Sequence, residues 1–500
     1  MYKATSSLQM TFNDFNQSCG MELDMANEWC RLAHAFNWSA AEELYAKNFP
    51  SRKGHPAFPV RMALGALVIQ KRMRLSDRAL VKAVAENPYY QYFLGLQSFS
   101  SRCPFTYSTL VGFRRRLSAE VLMEINEAFL ATAAPTPEHA VAKGKGKQAQ
   151  ADAMGMGDAG DAGDAGEPNA GTAILDATCS PSNIRYPQDF SLLDEAREKL
   201  DQMIDELHAR LDGGAHRPRT YRRVMRKAYL SVAKAKTRPA KRVRSLIYRE
   251  LCAVKRNLGF VDAYLAGGGS LTGTRKGRLE TIRELYRQQR EMFDGRTHRV
   301  DSRIVSLSQP HVRPIVRGKA KAPVEFGAKY DVSLDEKGHA RVEKLSFDAY
   351  NECGVLKDAV GRYRERTGHY PRKVLVDKIY RTRENRSFCK AHGILMSGRG
   401  PGRPSADGGA ARREEHRDDV ARNEVERFFS REKRTCGAAL IVTKLSSTTL
   451  ASIALSVLVA NMFGVPLTGG AFFVVYFLDV MKDATEWHIC EFFGNSEESI

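Results

Sequence analysis

Residues 134–171 contain the run TPEHAVAKGKGKQAQADAMGMGDAGDAGDAGEPNAG, a Gly-Asp-Ala repeat with almost no large apolar side chain. A segment of that composition cannot bury enough apolar surface to offset the entropy of ordering its backbone. It predicts a flexible linker, and it divides the chain. An all-α N-terminal domain is expected at 1–133 and a larger α/β domain at 172–470. Residues 471–500 are expected as a C-terminal tail.

On either side of that run the 500-residue chain has ample apolar content, 43%, for real cores. Its net charge of +19 favours a polyanionic partner, nucleic acid or an anionic membrane. The nine cysteines, at 19, 30, 103, 179, 252, 353, 389, 436 and 490, include no C-x-x-C pair. That fits a reducing compartment and excludes zinc fingers and ribbons. The opening residues MYKATSSLQMTFNDF hold no signal-peptide core. The most apolar stretch, TTLASIALSVLVANMFGVPL at 448–467, is interrupted by Ser452, Ser456 and Asn461. It reads as a buried terminal helix rather than a membrane span.

Residues 20–133 read as short helices. Leu64, Leu67 and Val68 recur at helical spacing, and Ser76 is placed to cap a helix carrying Leu80, Val81 and Val84. Asn87-Pro88 ends that helix. A third, starting near Ser108, buries Leu110, Phe113 and Leu117 and ends in Arg114, Arg115 and Arg116. Short helices with a terminal arginine cluster have the character of a helix-turn-helix unit, and Arg114 and Arg115 are candidate DNA contacts.

After the linker, Thr172 to Leu175 reads as a strand ending at Asp176, followed by a long helical region at about 189–300. Its middle, from His216 to Leu258, is dense in Lys and Arg, with Glu250 as the one acid and Tyr221, Tyr229 and Tyr248 interleaved. Like charge at that density is relieved by phosphate. Arg222, Arg223, Arg226, Lys227, Lys241 and Arg242 are the candidate contacts. SRIVSLSQP from Ser302 reads as a strand, and PVEFGAKYDVSLDEKGHARVEKLSF as a hairpin turning at DEKG. A helix carries Val355, Ala359 and Tyr363, a strand Val374–Val376 ends at Asp377, and a further helix stops at Gly393.

Two aspartates therefore each end an apolar strand, in AILDAT and VLVDKI. Carboxylates at the carboxyl ends of adjacent strands can converge on one point. A third acid is offered by RNEVERFFSREKR, residues 422–434. At about 100° per residue, Arg422, Glu426, Phe429 and Lys433 fall on nearly one line, with Glu424 on the opposite side. Such a helix is either a solvated, ion-paired surface or a carboxylate held for metal and phosphate. Three convergent acids repel one another. Two divalent cations make the arrangement sensible, Mg²⁺ (or Mn²⁺) being bound by carboxylates together with substrate phosphate oxygens.

These blocks resemble the bacterial insertion-sequence transposases of the DDE class. LDAT…NIRYPQDFSLLDEARE is similar to their first-aspartate block, and VLVDKIYRTRENRSFCKAHGI to their second. LSDRALVKAVAENPYYQYFLGL…PFTYSTLVGFRRRL is similar to their helical N-terminal domain. Many carry the signature Tyr-x2-Arg-x3-Glu-x6-Lys, matched here by Arg422, Glu426 and Lys433, with Asp419 in place of the tyrosine and Arg427 in place of a frequent glycine. The resemblance implies an RNase H-like α/β core, a mixed sheet with flanking helices, interrupted by the basic helical insertion. It implies Asp176, Asp377 and Glu426 as ligands of two Mg²⁺ or Mn²⁺ ions, and Arg422 and Lys433 as contacts to DNA phosphate. The partners implied are double-stranded DNA (transposon ends and target) and further copies of the chain in a synaptic complex, with no membrane. The setting implied is the bacterial cytoplasm, at the nucleoid. A metal-dependent nuclease without strand transfer and a catalytically inactive DNA-binding regulator are the alternatives.

Rival positions carry less. Glu424 has the wrong helical phase, and Asp331 sits on a strand that reads as alternating and half exposed. Asp189 and Asp194 read as helix-start residues, and GPGRPS as a loop. Tyr380, Arg381 and Arg383 follow Asp377 and are candidates to meet DNA.

Overall fold

A computed structural model describes residues 23–49, 56–132, 168–210, 216–316, 324–398 and 408–464. The expected linker up to residue 167, the GPGRPS loop and the expected tail at 471–500 lie outside the described residues.

Seven helices come first: α1 (Glu28–Ala35), α2 (Trp38–Ala46), α3 (Val60–Met73), α4 (Asp77–Glu86), α5 (Pro88–Phe93), α6 (Thr109–Arg116) and α7 (Ala119–Thr132). Their boundaries follow capping chemistry. Ser76 accepts the Ala79 N–H at 3.2 Å to start α4, and Asn87, which closes α4, opens α5 by accepting from Tyr89 and Tyr90 ahead of Pro88.

A six-stranded mixed sheet follows, made of β1 (Thr172–Pro181), β2 (Arg313–Val316), β3 (Val324–Leu334), β4 (Ala340–Ser346), β5 (Lys373–Val376) and β6 (Leu395–Met396). The strand order is β2-β3-β1-β5-β6, with β4 beside the second half of β3. β1 runs antiparallel to β3 and parallel to β5, and β5 runs parallel to β6. Between β1 and β2 the chain makes α8 (Asp189–Arg210), α9 (Arg222–Ala233), α10 (Ala240–Ala266) and α11 (Gly273–Asp294), which carry a core of their own around Leu193, Leu200, Leu251, Val254, Ile282 and Leu285. The parallel connections are made by α12 (Leu356–Thr367) and α13 (Arg383–Ala391). The last elements among the described residues are α14 (Gly408–Thr435) and α15 (Ser446–Met462).

Residues 303–309, expected as a strand, are irregular. Ile304, Val305 and Leu307 are buried there, but the Ile304 N–H is satisfied by the Gln288 side chain at 2.9 Å instead of by a neighbouring strand. The apolar run at 448–467 does form a buried helix, α15, and among the described residues no helix is long and apolar enough to cross a membrane.

The two sides of the linker share a core. Side chains of α1–α7 pack in one cluster with Tyr330, Val332 and Leu334 of β3, with Val425 and Phe428 of α14, and with most of α15. At its centre Asn461 donates to Asn126 at 2.7 Å and to the Ala340 carbonyl at 2.8 Å, and accepts the Ala340 N–H at 3.0 Å. Buried amides with their bonds satisfied fix one packing register. The N-terminal helices thus brace the sheet face on which α14 lies.

Candidate active site

The ladder between β1 and β5 ends at the pair Leu175–Val376. The next residue after each is an aspartate, Asp176 within β1 and Asp377 just beyond β5, so the two sit side by side where parallel strands run about 4.8 Å apart. β5 stops because Asp377 turns into a cap, accepting the Lys378 N–H at 2.7 Å. Asp377 is exposed, whereas the Asp176 side chain is 19% exposed. Asp176 accepts the Ala177 N–H at 2.8 Å. Burial pushes its carboxyl up to about 6, and the negative charges of Glu352 and Asp377 add to the rise against the opposing pull of the Ala177 N–H and Arg422.

The third acid arrives on α14. Val425, Phe428, Phe429 and Glu432 form the helix's buried stripe, at the spacing of one helical face. Phe429 meets the Tyr330 ring edge-on, 6.3 Å between centroids. At the helix's other end Lys373 of β5 binds Glu414 at 3.0 Å and Asp418 at 2.6 Å. Held at both ends, α14 presents Arg422 to Asp176, at the end of the β1–β5 ladder. The Arg422 Nη1 lies 4.0 Å from Asp176 Oδ2 and 3.9 Å from Glu426 Oε1, so the two carboxylate oxygens are at most about 8 Å apart. Glu426 itself is 59% exposed. Lys433, two turns on, donates to Thr178 Oγ1 at 2.8 Å, on the same strand as Asp176. Glu424 faces away and pairs with Arg427.

Among the described residues no three His, Cys, Asp or Glu side chains are drawn tightly enough together to hold a metal ion. The Arg422 guanidinium supplies the positive charge between Asp176 and Glu426 in this arrangement. The donor chemistry nevertheless suits a hard divalent cation, because every candidate ligand is a carboxylate.

Four expectations are corrected. Asp176 does not end its strand: β1 runs on to Pro181 against β3, and only the ladder with β5 stops before Asp176. Asp331 is fully buried rather than half exposed, since β3 is flanked by β1 on one side and β4 on the other. It accepts from the Tyr350 hydroxyl and, at 2.5 Å, from the Tyr380 hydroxyl. Burial lifts its carboxyl to about 6. Tyr380 is therefore also fully buried, its hydroxyl committed to Asp331, and it is withdrawn as a DNA contact. Asp189 is the first residue of α8, as expected, and binds Arg303 at 2.7 Å. Asp194, by contrast, is buried inside α8 against Arg197.

The candidate cations stand in different states. Arg114 is held by Asp77 and by Gln70 at 2.9 Å, while Arg115 is exposed. Arg222 binds Asp205 at 2.8 Å, Arg226 binds Glu198 at 3.1 Å, and Arg242 donates to the Ser231 carbonyl at 3.0 Å. Arg223, Lys227 and Lys241 are exposed and carry no ion pair among the described residues, and Arg383 is exposed at the start of α13.

One group escaped the sequence reading. Glu432 is fully buried and accepts the Tyr330 hydroxyl at 2.8 Å. Burial raises its carboxyl to about 7, against the pull of that hydroxyl, Lys433 and Lys71. Its signal was present: it occupies the apolar stripe of α14, where a carboxylate needs a partner.

Comparison with known proteins agrees with this layout. Residues 374–463, which contain Asp377 and all of α14, match the family described as Transposase DDE domain. Residues 18–116 match the Transposase domain (DUF772) family. A curated relative from Rhizobium meliloti, "Uncharacterized protein ORF8 in nfe locus", is 31% identical over 106 residues, 21% of this chain and 51% of that protein. The chain thus spans about half the length of that relative. No solved structure matches. One transposase family is thus matched in the N-terminal helices and a second across the β5–α15 half of the site, so in both parts the chain is similar to transposases, in the second to those with a DDE domain.

Proposed function

We propose that this protein is the transposase of an insertion sequence, which binds the terminal inverted repeats of its element and catalyses metal-dependent DNA cleavage and strand transfer. Its core is read as RNase H-like. In support, β1 lies between antiparallel β3 and parallel β5, and α8–α11 are read as a helical insertion. The observation that carries the reading is the placement of Asp176 and Asp377 side by side where the β1–β5 ladder ends, with Arg422 bridging from Asp176 to Glu426.

In this reading Asp176, Asp377 and Glu426 would hold two Mg²⁺ or Mn²⁺ ions, with Glu426, long and exposed, completing the set once Arg422 turned to phosphate. Bound there, the ions would supply charge stabilisation and acidify the attacking water. The water oxygen attacks phosphorus, the bond to the 3′ oxygen breaks, and a 3′-hydroxyl is released. That hydroxyl then attacks a target phosphodiester and displaces a second 3′-hydroxyl. Arg422 and Lys433 steady the phosphate charge. Arg115, Arg223, Lys227, Lys241 and Arg383 extend the contact to the backbone of the duplex. Arg222, Arg226 and Arg242 join them by exchanging a protein partner for phosphate. Two ends must be joined together, so the working form is a homo-oligomeric synaptic complex at the nucleoid.

The test uses purified protein, labelled DNA from the flanks of its gene, and Mg²⁺ or Mn²⁺, alongside Asp176→Ala, Asp377→Ala and Glu426→Ala. Cleavage and strand-transfer products from the wild type alone are expected. Cleavage without transfer identifies a nuclease, and binding without cleavage by any of the four proteins identifies a regulator.

A further inference from the structure

The junction leading into α9 carries a feature that backbone contact does not explain. Tyr221 and Val224 are each 55% exposed and stand three residues apart, on one face of the helix start. Arg219, Arg222 and Arg223 surround them, and all three are exposed. Tyr221 has φ 53° and ψ 31°, the left-handed region that a bulky side chain seldom adopts. Arg256 reaches across from α10, donates to the Thr220 carbonyl at 2.9 Å, and sets its guanidinium 5.1 Å from the Tyr221 ring centroid. One side of the ring is thereby supported by a cation, while more than half of the residue stays in solvent.

Below it is a cavity of about 590 Å³ lined by Asp205, Arg217, Thr220, Tyr221, Arg223 and Val224, among others. Thr220, one of the lining residues, is 1% exposed, and its buried hydroxyl has no hydrogen-bond partner among the described residues. Tyr221, the N-cap of α9, makes no side-chain capping bond, and the first turn of α9 contains no acid. Of the four arginines at positions 217, 219, 222 and 223, Asp205 neutralises only two, Arg217 and Arg222. The surplus charge selects an anion, and the exposed ring selects a flat apolar partner.

We infer that Tyr221 and the arginines around it form a stacking site for an unpaired DNA base, with the adjacent phosphate held by Arg219 and Arg223 at the start of α9. A fully paired duplex offers phosphates but no open base face. A single-stranded overhang offers both. The site rests on the transposase reading for its ligand class, and its chemistry is specific enough to fail separately.

The test measures binding of the full chain to two labelled duplexes of equal length in excess EDTA. One is blunt, and one ends in a four-nucleotide overhang carrying 2-aminopurine. Wild type is expected to prefer the overhang by about 5- to 150-fold, the range of one aromatic–base stack, with the 2-aminopurine fluorescence quenched. Tyr221→Phe retains both effects. Tyr221→Asn, which tolerates the left-handed backbone, loses both and keeps its affinity for the blunt duplex. The stacking site is overturned if wild type binds the two duplexes equally, or if Tyr221→Asn keeps the preference or weakens both duplexes alike. If wild type binds neither duplex, the transposase reading falls with it.

Discussion

Replacing Asp176 by asparagine is expected to stabilise the metal-free protein above neutral pH while abolishing its chemistry. Asp176 titrates near 6 in the fold, against 3.8 for the free side chain. Each unit of that difference corresponds to about 1.4 kcal/mol, so holding the ionised form costs roughly 3 kcal/mol at pH 8. The sign follows from the direction of the shift. A carboxyl raised in the folded state contributes its stability fully below pH 4 and loses it as pH rises through about 6. Asparagine does not titrate and keeps an acceptor for the Ala177 N–H, bonded at 2.8 Å in the wild type. The pull of Arg422, 4.0 Å away, is already contained in that value. The net expectation is a gain of roughly 3 kcal/mol at pH 8, falling between pH 6 and pH 4 and small near pH 4. Urea unfolding of both proteins in EDTA at pH 4, 5, 6, 7 and 8 reads it out. A variant less stable than wild type at pH 8, or a difference that does not change with pH, refutes the reasoning.

Three further outcomes follow from other parts of the molecule. Arg197, 1% exposed, is held among Asp194, Asp201 at 3.1 Å and Glu250 at 3.3 Å. Arg197→Met strands those carboxylates and is expected to cost about 3–5 kcal/mol in denaturant unfolding, where a loss under 1 kcal/mol contradicts the buried network. Tyr330→Phe removes the donor to Glu432, whose carboxyl sits near 7. The loss is expected to be about 1 kcal/mol at pH 6 and about 2 kcal/mol at pH 8, where the carboxylate is ionised, and equal losses at the two pH values contradict it. Lys227→Ala and Lys241→Ala each remove one exposed cation. Each is expected to lower the slope of log affinity for duplex DNA against log salt by about 0.9, and an unchanged slope removes that lysine from the interface.

What could be read in advance depended on how locally each feature is determined. The strands beside Asp176 and Asp377 were legible because an apolar β-branched run fixes a strand, but only Asp377 marks an end: β1 continues past Asp176 to Pro181, held by its ladder with β3. The line through Arg422, Glu426 and Lys433 was legible because helical phase depends only on spacing. Asp331 was misjudged because alternation describes one strand, whereas burial depends on its neighbours, and β3 lies between β1 and β4. Tyr380 followed it into the interior for the same reason, as the donor to a carboxylate that has no access to water. The irregular stretch at 303–309 shows the converse. Its apolar residues are buried, but a glutamine side chain satisfies Ile304 where a strand partner was expected. The packing of the first seven helices onto β3 and α15 joins residues more than 300 positions apart, such as Asn126 and Asn461. No local pattern encodes such a contact.

The central claim is that Asp176, Asp377 and Glu426 serve one cation site. Titration of the full chain with Mn²⁺, followed by the electron paramagnetic resonance of the free ion, addresses it without reference to DNA chemistry. Wild type is expected to take up Mn²⁺ at a saturable site, and Asp176→Asn, Asp377→Asn and Glu426→Gln are each expected to weaken that uptake at least tenfold. Uptake by all three variants equal to that of wild type contradicts the account, as does an absence of saturable uptake by wild type.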